Sequence, residues 1–63
     1  MKKPYWYAVQ KESTDAWDSG SYDFEEAVEM LLEQGEGLIA VIDEETNTCI
    51  EEYYYEELKW KFI

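Results

Sequence analysis

The spacing of hydrophobic positions changes along the chain, and each change marks an element. Residues 5–10, YWYAVQ, are aromatic and β-branched with a period of two, which predicts a strand with Pro4 at its entrance. Tyr5, Tyr7 and Val9 fall on one face of it, Trp6, Ala8 and Gln10 on the other. Residues 12–22 are polar, and Ser19-Gly20 is a turn signal. From residue 24 the period becomes helical. Phe24, Ala27, Val28, Leu31 and Leu32 recur at i, i+3, i+4, i+7 and i+8, one buried stripe on a helix over 24–34. Asp23 is a good N-cap, and Glu26, three residues on, is placed to reach back in a capping box. Gly35 suits the left-handed position after the last turn.

Residues 37–42, GLIAVI, form a short apolar run that predicts a buried strand. DEETN follows as a loop, and TCIEEYYY as the second arm of a hairpin with a four- or five-residue connection. Near the C-terminus Leu58, Trp60 and Phe62 alternate with Lys59 and Lys61. That pattern predicts a fourth, edge strand guarded by lysines. YEEL holds no Gly, Pro or Asn for a tight turn, so a helical turn over 56–63 competes with it. The sum is one α+β domain over residues 1–63, in the order β-α-β-β. One helix packs on a mostly antiparallel three-stranded sheet, with or without the C-terminal edge strand. A single helix covers one sheet face, so some aromatics on β-strands are expected to be partly exposed.

Charge changes the picture most. Sixteen acids stand against five lysines, with no arginine and no histidine, for a net charge of −11. Lys2, Lys3, Lys11, Lys59 and Lys61 lie towards the ends, and from Glu12 to Glu57 every charged side chain is negative. Nucleic-acid binding relies on cations that neutralise phosphates, so direct binding is disfavoured. Anionic membranes are disfavoured for the same reason. No apolar run approaches the ~20 residues of a membrane span, and MKKPYWYAVQ lacks the apolar region and cleavage site of a signal peptide. Cys49 is the lone cysteine. It reads as a small strand residue in a reducing, cytoplasmic compartment.

Candidate chemistry is sparse. In DAWDSGSYDFEE, Asp15, Gly20 and Glu26 match positions one, six and twelve of a calcium loop. Position three is Trp17, which has no oxygen ligand, and the entering helix is missing. A solvated turn leading into a capped helix accounts for more of these residues. Catalysis lacks its usual parts. There is no histidine to act as acid or base, and none to activate Cys49. Glu51 and Glu52, adjacent in a strand, point to opposite faces. No catalytic residue, cofactor or metal is expected, and the chain reads as a non-enzyme.

A partner-binding surface remains. Glu25, Glu29 and Glu33 lie at i, i+4 and i+8. Each like-charge pair costs roughly 0.2–0.5 kcal/mol, and no lysine relieves them. Glu51 and Glu52 add to the acidity, and Trp17 and Trp60, with Trp6 and Tyr54, are candidate contact residues. The expected partner is a basic protein surface, most pointedly that of a nucleic-acid-binding protein. A chain of this length has a radius of gyration of about 11 Å, a sphere roughly 27 Å across. Duplex DNA carries about 16 charges over that span, and the chain has 16 acids. The competing expectation is a homodimer formed through aromatics, with acidity serving solubility. WDSGSYDFEEA and LIAVIDEETNTCIEE also resemble small acidic hypothetical proteins of bacterial phages and mobile elements. That resemblance implies no established activity and carries over no site.

Overall fold

Strand β1, Trp6–Gln10, occupies an inner position of the sheet and splits the core in two. The structure, a computed structural model, describes residues 5–62; Pro4 lies outside them. Two further strands follow the expected hairpin, β3 at Leu38–Asp43 and β4 at Thr48–Tyr54. A two-residue strand, β2 at Gly20–Ser21, pairs with β1 where the sequence predicts only a turn. The order is β2-β1-β3-β4, with every pairing antiparallel. The hairpin turn ends at Asn47 in the left-handed conformation (φ 57°), which asparagine tolerates better than most residues. The Asp43 carboxylate accepts from the Glu45 N–H and fixes the turn's entry.

Helix α1 spans Phe24–Gln34, as its apolar period predicts. Ala27, Val28 and Leu31 are buried against Val9 and Ile39 of the sheet, with Phe24 and Leu32 partly buried beside them. Asp23 caps the helix through the Glu25 N–H at 3.0 Å. The capping box does not close. The Asp23 N–H donates to the Ser21 hydroxyl instead, and Glu26 is left exposed. Gly35 ends the helix at φ 79°, donating to the Leu31 carbonyl.

The C-terminal edge strand is not formed. Residues Tyr55–Phe62 make a second helix, α2, directly after β4. Three features favour it. The segment has no residue to reverse the chain. Leu58, three residues after Tyr55, turns into the main core and is buried. Glu56 and Glu57 sit at the positive helix start and Lys59 and Lys61 near its negative end, so the charges oppose the helix dipole. Lys59 also pairs with Glu56 one turn back.

The sheet face opposite α1 is covered over β1 and β3. Residues 11–19 fold back over it, and Trp6 and Trp17 close a small cluster of Ala8, Ala40 and Ile42. The Trp6 indole donates to the Trp17 carbonyl at 2.7 Å, and the Gln10 amide to the Asp15 carbonyl at 2.5 Å. The Asp15 carboxylate accepts from the backbone N–H groups of Lys11 and Glu12. It therefore staples the exposed loop, where the sequence suggests only a solvated decoration. Among the described residues, no group of three or more His, Cys, Asp or Glu is arranged to hold a metal ion. None of the helices there is long and apolar enough to cross a membrane.

Candidate partner-binding surface

The outer face of α1 carries Glu25, Glu29 and Glu33, all exposed, and the last turn holds no basic residue. The face is a by-product of the buried stripe: positions that alternate with Ala27, Val28 and Leu31 must face water. Glu25 and Glu29 line a shallow groove of about 180 Å³ whose remaining walls are Val28 and Leu32. Glu33 is exposed further along the helix and does not line this groove. The groove joins negative charge to apolar surface, the combination that an amphipathic cationic side chain matches.

Glu51 and Glu52 lie on β4, an edge strand whose residues are mostly exposed. Val41 pairs with Glu51 but Ile42 with Cys49, so Ile50 is an extra residue in a β-bulge. Beyond the bulge, Glu51 and Tyr53 share the face of Val41 and Ile39, while Glu52 and Tyr54 share the opposite one. Each glutamate accepts a hydrogen bond from the tyrosine two residues on. Tyr53 Oη reaches Glu51 Oε2 at 2.7 Å, and Tyr54 Oη reaches Glu52 Oε1 at 2.9 Å. A third pair joins Tyr22 to Glu44 at 2.9 Å. In all three the carboxylate bond holds the phenol proton, raising the tyrosine pKa above 10.0.

The predicted acidic residues thus form two groups, one on α1 and one divided between the faces of β4. The aromatic contact residues divide too. Trp17 is half-buried over the second cluster and Trp6 packs beside it and edge-on to Tyr22, so both have structural work. Tyr54 is 45% exposed and Trp60 80% exposed. The Lys59 ammonium lies 5.4 Å from the Trp60 ring centroid and 5.6 Å from that of Tyr55. Its pairing with Glu56 raises its pKa.

One concavity escapes sequence reasoning. Tyr5, Tyr7, Phe24 and Tyr53 line a pocket of about 310 Å³ together with Val41, Ile50 and Glu51. Its residues come from Tyr5 just before β1, from β1, β3 and β4, and from the first turn of α1, so only the register brings them together. The available signals were the alternate tyrosines of the first strand and the Glu51–Tyr53 spacing. No family model, curated protein or solved structure matches the chain.

Proposed function

We propose that this chain is a small acidic protein-binding domain that occupies a basic surface of a partner protein, with a nucleic-acid-mimicking inhibitor as its sharpest form. The observation that carries the reading is the outer face of α1. Three exposed glutamates follow one another a helical turn apart, with no basic residue in the helix's last turn, and the first two line a groove with apolar walls. A helix selected for stability alone gains from lysine at these positions. The tyrosine pairs add a second support. Phenol donors orient Glu44, Glu51 and Glu52 without neutralising them, so part of the negative field is held in fixed geometry before any partner arrives. Such a surface favours fast, salt-sensitive association with a basic one.

Affinity capture from native-host extract, with the wild-type chain and the Glu29→Lys/Glu33→Lys variant as parallel baits, tests the reading. The variant should fold normally, because both positions face away from the buried stripe. It should lose the captured partner. Retention at full affinity would overturn the reading.

The exposed Trp60 favours a second reading, self-association. That contact would not run through the β4 edge. Glu51 is the central residue of Thr48–Tyr54, so a two-fold antiparallel pairing sets it against its own copy. If self-association is the function, Trp60→Ala should shift the chain towards monomer in sedimentation, and the charge-reversed variant should behave as wild type.

A further inference from the structure

We propose that the aromatic pocket beside the start of α1 receives a single alkylammonium group, the side-chain head of a lysine on the partner. This rests on the reading above that the partner surface is basic, and it names the point of entry. The pocket combines two features that bind such a group. Four of its seven described lining residues are aromatic, and the negative faces of aromatic rings attract cations. The other feature is the acidic side chain among the described lining residues, the Glu51 carboxylate. Its Oε2 accepts from Tyr53, and a carboxylate retains acceptor sites on its second oxygen for an N–H donor.

The walls are pre-formed. Tyr7, Val41 and Glu51 are one row across three strands, in register on the α1 side of the sheet. Phe24 packs edge-on to Tyr7, with centroids 5.2 Å apart and planes at 65°, and edge-on to Tyr53 at 5.5 Å and 66°. Rings inclined in this way make a concave wall, where a parallel stack would be flat. The bulge at Ile50 is what turns Glu51 and Tyr53 towards this side. At about 310 Å³ the pocket is at the small end of the ligand-site range, with room for an alkylammonium head and the methylenes behind it. The start of α1 brings a partial positive charge nearby, but Asp23, Glu25 and Glu26 outweigh it. Among the described residues, no lysine lines the pocket.

The test uses the full chain and two probes of one shape, tetramethylammonium chloride and neutral tert-butanol, followed by ring and backbone NMR at constant ionic strength. The cation should give saturable shifts at Tyr5, Tyr7, Phe24, Glu51 and Tyr53, and tert-butanol none that saturate. A capped lysine amide should shift the same residues, and its Nε-acetyl form should not. Glu51→Gln keeps an acceptor for Tyr53 and should weaken the cation roughly two- to fivefold, as should Tyr5→Leu, which removes one ring. Equal response to both probes would overturn the proposal, as an apolar site only. Shifts confined to Glu25, Glu29 and Glu33 would overturn it as diffuse ion attraction. The capture experiment is independent. If capture ignores the α1 charge reversal while the cation still fills the pocket, the partner reading falls and the pocket stands; the converse removes the pocket alone.

Discussion

At the scale of single residues, tyrosine takes over a task that lysine performs in most proteins. Glu44, Glu51 and Glu52 each accept a phenol O–H, while Lys59–Glu56 is the ion pair formed among the described residues. The tyrosine bonds have a pH consequence of definite sign. Tyr22, Tyr53 and Tyr54 have folded pKa values above 10.0, so their contribution to stability is fully present below about pH 10. It is lost as pH rises through the folded values. Melting temperature should therefore fall as pH climbs past 10, and the fall should shrink in the Tyr22→Phe/Tyr53→Phe/Tyr54→Phe variant. Tyrosinate absorbance checks the assignment directly: the variant should lose the late-titrating part of the curve. Amplitude lost evenly across the curve, with the late part still present, would mean the phenols do not hold these carboxylates. Some residue roles were legible in the sequence. Asp23 caps α1 because its type and place leave little choice. The partner of its own N–H was not legible, since Ser21 two residues earlier and Glu26 three residues later compete for it.

At the scale of elements, local pattern and long-range register contributed differently. The stripe from Phe24 to Leu32 defines α1 to the residue, because a helix is a local structure with caps written at both ends. The C-terminal segment shows the limit. An alternation of Leu, Lys, Trp, Lys and Phe fits a strand, but capping charges and the buried Leu58 fit a helix, and tertiary packing favoured the helix. The bulge in β4 has no marker in TCIEEYY, which lacks glycine, so the pairing of Glu51 with Tyr53 on the α1 face was visible only in three dimensions. The loop over the second face was equally hidden, since its hold is one carboxylate, two amide and indole bonds and the packing of Trp17.

The joint between α1 and β3 gives a test at this scale. Gly37 has φ 103°, and a Cβ there would lie 2.0 Å from the Gln10 carbonyl oxygen of β1. Gly35 also has positive φ, but a Cβ there meets open space. Gly35→Ala should cost only backbone strain, about 1 kcal/mol, whereas Gly37→Ala should cost about 2 kcal/mol or more and lower the melting temperature by roughly 10 °C or more. Equal effects would mean that this joint and β1 do not meet as closely as described.

At the scale of the whole molecule, the radius of gyration is 11.0 Å and the extents are 33 × 24 × 16 Å, a slab longer than the equivalent sphere. Duplex DNA carries roughly 19 charges over a length of 33 Å, against 16 acids here. That charge density was legible from composition. Its distribution was not, because the fold decides which glutamates share a face. It puts Glu25, Glu29 and Glu33 together on α1 and separates Glu51 from Glu52. If the function is to fill a basic surface, a short DNA duplex and this chain should exclude each other from the captured partner, whatever the duplex sequence. Competition between labelled chain and duplex for that partner, at two salt concentrations, is the most direct measurement. The account predicts full displacement of the chain by duplex, with both affinities falling steeply as salt rises. A ternary complex in which the partner holds chain and duplex together, each at its separate affinity, would contradict it.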